Sequence, residues 1–159
     1  MIGDAPVRRP LAGLVIVRPS RELAADHDAL RAITEASAEL TTATHGQLVF
    51  RVSQAEDGDV LLHVRVDAGI SSAGTEVQQL QGDVVVSGSI ILRTAYHAGR
   101  RPIVVHEMLH WMGLPNHSSV VGDIMNPASE DPNRAVSARE VAVIRYLLDL
   151  QPGQHAACR

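Results

Sequence analysis

Residues 11–17 (LAGLVIV) form an unbroken apolar run of strand length, the pattern of a strand covered on both faces. Pro19 ends the run and Ser20 is placed to cap a helix. From residue 21 to residue 40, Leu23, Leu30, Ile33 and Leu40 recur at helical spacing among Glu, Asp and Arg, which predicts one amphipathic helix. Two alternating segments follow. Residues 47–53 (QLVFRVS) put Leu48, Phe50 and Val52 on one face, and residues 60–66 set Val60, Leu62, Val64 and Val66 against Leu61, His63 and Arg65. The acidic, glycine-containing stretch at 56–59 reads as the turn between them.

Residues 67–82 carry Gly69, Ser71, Ser72 and Gly74 and predict a polar loop. Two short strands are expected next, at 84–86 and 90–94, separated by Ser87-Gly88-Ser89. Pro102 suits the first turn of a helix that runs to Met112, and Gly113 suits the left-handed turn that stops it. Residues 115–133 are rich in Asn, Ser, Gly and Pro and predict a loop. Ser137 and Glu140 have capping-box spacing and open a last helix with Val141, Ile144, Leu147 and Leu148 facing inward. These elements predict one α+β domain over 11–150, with 1–10 as an N-terminal extension and 151–159 as a flexible tail. No internal repeat or low-complexity linker marks a second domain.

Composition narrows the chemistry. The chain has 159 residues, a size suited to one core, and a formal charge of −4 with scattered Arg, which offers no stripe for a nucleic-acid backbone. No apolar run is long enough to span a membrane. Arg8 and Arg9 ahead of the 11–17 run resemble the start of a secretion signal, but Arg18 and Pro19 close the run without a clean cleavage site, which favours a buried first strand. Lysine is absent, which excludes a Walker A loop, a lysine Schiff base and a kinase strand lysine. The only cysteine is Cys158, so there is neither a disulfide framework nor a Cys-rich zinc module. Eight histidines remain, and their placement is informative.

His106 and His110 stand four residues apart in the expected helix, so both imidazoles leave the same face and can reach one ion. Glu107 lies beside them. Gly113 lets the chain turn back, and His117 follows from the loop. Catalytic zinc takes three protein ligands and keeps a fourth position open, and a neighbouring carboxylate can act as general base. Eight residues beyond His117 is Met125, in the stretch Asp-Ile-Met-Asn-Pro.

This run, His106 to His117 followed by a Met-turn, resembles the metzincin clan of zinc endopeptidases, and within it the matrixins. The resemblance is sharp over residues 101–127 and only architectural over 11–94. It implies a metzincin-like zincin: a mixed twisted sheet of about five strands, an active-site helix, a long N-terminal helix and a C-terminal helix. It also implies one catalytic Zn2+, Glu107 as general base, and Met125 as a hydrophobic floor beneath the ligands. One departure stands out. The family spacing HExxHxxGxxH places the third ligand at Asn116, and His117 comes one residue late. Either the loop bulges and His117 binds, or Asn116 serves as a weak oxygen donor; imidazole is the better zinc ligand. Pro127 stands where some clan members carry a further tyrosine ligand.

For substrate, the resemblance implies a peptide or protein that pairs with an edge strand above the cleft. Val84, Val85 and Val86 are the candidates for that strand, with residues 90–92 as neighbour. A specificity pocket between the active-site helix and the segment after the Met-turn implicates Val105, Pro127, Ala128 and Ser129. Trp111 faces away from the two helical histidines, as a core residue would. His27, His45, His63 and His97 do not assemble into a structural zinc site, and the aspartates at 57, 59, 67 and 83 lack EF-hand spacing, so structural Ca2+ has no support. Cys158 lacks the setting of an inhibitory propeptide thiol. The expected protein is therefore a monomeric zinc endopeptidase, without nucleic-acid or membrane partners. The alternatives are a zinc hydrolase for a dedicated small or peptide-like substrate and a non-catalytic module; an intact Glu107 weighs against the latter.

Overall fold

A computed structural model describes residues 6–54, 58–128 and 131–155. The elements run β1 (Gly13–Pro19), α1 (Arg21–Ala25), α2 (His27–Ala43), β2 (Leu48–Val52), β3 (Val60–Val66), β4 (Gly74–Gln81), β5 (Val84–Leu92), α3 (Ala95–Ala98), α4 (Arg101–Trp111) and α5 (Ala138–Asp149). The architecture is α+β, built on one mixed sheet of five strands in the order β2-β1-β3-β5-β4. All neighbours are parallel except the β4–β5 hairpin. β1 has a partner on each side, which explains its uninterrupted apolar run. β3 alternates as its pattern requires, with Val60, Leu62 and Val64 buried and His63 and Arg65 exposed.

Helices α2 and α4 supply Ile33, Ala36, Leu40, Val104, Met108 and Leu109 to a single core shared with Val15, Val17, Leu62, Ile90 and Leu92. Trp111 is fully buried in it, edge-on to Phe50 at 6.5 Å between ring centroids. The close packing of α4 on the sheet depends on Gly88, where a Cβ would stand 2.3 Å from the Val77 carbonyl oxygen and 2.4 Å from the Trp111 indole nitrogen.

Four expectations change. The first amphipathic stretch is two helices, because Asp26 adopts an extended backbone and its carboxylate accepts from the N–H groups of Asp28 and Ala29, starting α2 afresh. The polar loop expected at 67–82 contains β4, an eight-residue edge strand whose exposure allows it to be polar. The two short strands expected at 84–86 and 90–94 are one strand, β5, running through Ser87-Gly88-Ser89. Finally, the described parts of the expected extension and tail are packed. Val7 is buried, Pro6 pairs with His155, and the Val7 N–H donates to the Gln154 carbonyl at 2.9 Å.

Arg9 locks this arrangement. It is 6% exposed, and its guanidinium donates to the carbonyls of Pro10 at 2.8 Å, Leu148 at 2.9 Å and Leu150 at 2.6 Å, placing a cation at the C-terminus of α5. Arg9→Leu keeps the apolar stem and leaves those carbonyls without donors. It is expected to lower stability by about 2–3 kcal/mol, read as a fall in the urea midpoint at unchanged slope.

Candidate metal centre

Helix α4 presents His106, Glu107 and His110 on its sheet-edge side, and its end is shaped by Gly113. That glycine has φ +107°, and a Cβ there would lie 2.4 Å from the Arg8 carbonyl oxygen. The Leu114 N–H closes the turn onto the Leu109 carbonyl at 3.1 Å, and the chain then swings His117 back over the helix. The three Nε2 atoms converge: His110 to His106 is 3.1 Å and His110 to His117 is 3.2 Å. His106, His110 and His117 thus form a cluster able to hold one metal ion. His117 makes the third corner, while Asn116 is exposed and lines a neighbouring hollow that His117 also borders.

Two main-chain carbonyls set the protonation of the rings. His106 Nδ1 lies 2.8 Å from the Ile124 carbonyl oxygen and His110 Nδ1 lies 2.7 Å from that of Leu114. A carbonyl only accepts, so each Nδ1 carries the proton and donates it. Burial then pushes His106 down to about 4, against the Ile124 hydrogen bond and with the charges of His110, His117 and Arg134 adding to it. Burial also lowers His110. At neutral pH the Nε2 atoms of both rings are therefore bare lone pairs facing each other at 3.1 Å, a repulsive contact that a shared cation relieves. Nitrogen ligands arranged tetrahedrally at zinc distances lie about 3.3 Å apart, so the donor set fits a small divalent ion.

Glu107 is 6% exposed beside this cluster. Burial, with the charge of Glu76 added, pushes its carboxyl up to about 7. The approach of β4 is what encloses it. A Cβ on Gly74 would lie 2.6 Å from Glu107 Cγ, so only glycine lets the edge strand pass. The cleft above the cluster has a volume of about 710 Å³ and is bordered by β4, α3, α4 and Pro127.

The ligand loop is tied down by acids from outside α4. The Ser118 N–H donates to the Met125 carbonyl at 2.8 Å, and the Ser118 hydroxyl donates to Asp123 at 2.6 Å. Asp123 also accepts from the Ser137 hydroxyl at 2.9 Å and pairs with Arg139. Burial by itself pushes the Asp123 carboxyl up, but the hydrogen bonds from Ser118, Ser137 and Arg139, with the Arg139 charge, outweigh it and hold the pKa below its ordinary value. Glu140 closes its capping box with Ser137 and, through its other oxygen, accepts from the Met125 N–H at 2.8 Å. Met125 is 2% exposed, in the core cluster.

The remaining candidate residues divide. Val84, Val85 and Val86 are not the edge. They lie in β5, inside the sheet, where Val84 bridges to Arg9 and Val85 is fully buried, and the strand bordering the cleft is β4. Val105 is fully buried in the core rather than lining the cleft; Pro102 and Ile103 line it instead. Pro127 borders the cleft. Ala128 is exposed and its N–H donates to the Asn126 side chain, and Ser129 lies outside the described residues. Sequence reasoning missed Glu76, Tyr96, His97 and Arg100, all of which border the cleft. The four-residue spacing of Tyr96 and Arg100 was the available signal for those two, whose phenol and guanidinium meet at 2.7 Å.

Set against known proteins, the chain matches no family model and no curated protein.

Two measurements check this geometry. Zinc titration against a competing chelator should give one ion per chain, with Asn116→Ala unchanged and His117→Ala weaker by more than about a hundredfold. The depressed Asp123 carboxyl stabilises the fold at pH above its ordinary value, and that contribution disappears as pH falls through the folded-state value. Asp123→Asn should therefore lower stability at about pH 6 and have a much smaller effect at about pH 3, as read from denaturation midpoints.

Proposed function

We propose that the protein is a matrixin-like zinc endopeptidase of the metzincin type, hydrolysing peptide bonds in the cleft between β4 and α4. The observation that carries this reading is the convergence of three Nε2 atoms, two of them on rings whose Nδ1 protons are tied to main-chain carbonyls, beside a buried carboxylate. His106, His110 and His117 would hold the zinc ion, which when bound supplies Lewis acidity towards a carbonyl and a water.

The protein's own groups account for the rest. Glu107, with a carboxyl near 7, is matched to taking a proton from water at neutral pH and returning it to a leaving amine. Its burial beneath β4 keeps it close to the reacting atoms and away from bulk solvent. β4 has a partner on one side only, so its outer backbone groups are available to an extended peptide, a role the sequence had assigned to residues 84–86. Pro102, Ile103 and Pro127 offer an apolar wall for a side chain next to the scissile bond. Met125 is buried in the core, and the role this reading gives it is a floor beneath the ligands.

Glu107→Ala is expected to retain zinc at wild-type stoichiometry and to lose turnover by a factor of about 10³ or more. A digest of a peptide library, read by mass spectrometry with and without chelator, tests the peptidase reading itself. Chelator-sensitive cleavage supports it. An intact library with zinc-loaded protein removes it in favour of a hydrolase for a dedicated small substrate.

A further inference from the structure

Strand β4 turns alternate residues toward α4. Gly74 packs on Glu107, and the Gln78 amide donates to the Trp111 carbonyl at 2.8 Å. Glu76 lies between them, a partly buried carboxylate that borders the cleft and also a smaller hollow of about 250 Å³ on the far side of His110. Glu76 is paired with Ile90 through the β4–β5 ladder, and among the described residues its side chain makes no hydrogen bond or ion pair. Arg8, the cation bordering that hollow, is turned to Asp83 at 3.8 Å. The charge of Glu76 is felt by both Glu107 and His110. Arg100 and Arg134 border the same cleft, as does His97, so the cleft carries two guanidinium groups as well as this acid.

Glu76 thus sets a carboxylate on the cleft wall close to Glu107 and His110, with no cationic side chain of the described residues paired to it. A cation arriving with the ligand would complement it. We propose that Glu76 is a specificity-determining residue, selecting substrates that place an ammonium or guanidinium group over β4 beside His110. The substrate class is thus a cationic peptide, and the proposal rests on the hydrolytic reading of the same cleft. The cation has two possible sources with one chemistry, a Lys or Arg side chain and a free N-terminal ammonium.

Binding to zinc-loaded Glu107→Gln protein, measured by calorimetry, tests this without turnover. The probes are an N-acetylated peptide amide with one internal lysine, its glutamine analogue, and the glutamine analogue with a free N-terminus. The lysine peptide or the free-amine peptide, whichever source applies, should bind about fivefold more tightly than the acetylated glutamine peptide. Adding Glu76→Gln should abolish that difference while leaving the neutral peptide's affinity unchanged, and Glu76→Lys should transfer the preference to a glutamate peptide. Equal affinity for all three probes, or a preference that survives Glu76→Gln, overturns the proposal. Melting temperature within the wild-type range excludes loss of β4 as the cause. If the cation preference holds but wild-type protein cleaves none of the peptides, the hydrolytic reading fails and Glu76 remains a cation-binding residue.

Discussion

Two main-chain carbonyls, those of Ile124 and Leu114, govern the candidate site. By accepting from Nδ1 of His106 and His110 they fix which nitrogen of each ring is protonated and which way each ring faces. Neither carbonyl belongs to the helix that carries the rings. One comes from Ile124, just before Met125, and the other from the residue after the helix-ending glycine. Moving either would release a ring to rotate and let the two Nε2 lone pairs separate. The metal-ready geometry is therefore a property of the loops, and α4 supplies only the spacing.

Those loops are held by acids whose roles are mainly structural. Asp123 joins the ligand loop to the start of α5 through Ser118, Ser137 and Arg139, and Glu140 joins α5 to the backbone of Met125. The Arg134 guanidinium donates to the carbonyl of Asn126 at 2.8 Å and also to that of Asp123. Glu39 on α2 accepts from the Val136 N–H at 2.7 Å and pairs with Arg101 at the start of α4. Hydrogen bonds to charged groups contribute more than neutral ones, so a loop with little apolar content can be held in one conformation. At the far end of α5, Arg9 does similar work on the free carbonyls of its last turn.

Close approach is the second device. Gly74 and Gly88 let strands pass against α4 side chains at distances a Cβ would forbid, one beside Glu107 and one beside Trp111. The first of these gives Glu107 its burial and hence its proton affinity near neutral pH. The setting of a helix residue thereby depends on a glycine on an edge strand.

Much of this was legible in the chain. The strands β1, β2 and β3, the helices α4 and α5, the capping box and the pairing of His106 with His110 all follow from local spacing, because periodicity, caps and i, i+4 geometry depend on nearby residues alone. The third histidine of the cluster was legible as chemistry but ambiguous in register, since a loop bulge of one residue costs nothing visible in sequence. The division of the long helix at Asp26 was missed because an aspartate inside a helical pattern reads equally as a surface residue. β4 was missed because an edge strand buries little and its polar residues carry no alternation. What the sequence determined was which side chains exist at which spacing. Tertiary structure alone decided which strand borders the cleft, that Glu76 and His97 share it, and how deeply Glu107 is buried, because those depend on contacts between segments far apart in the chain.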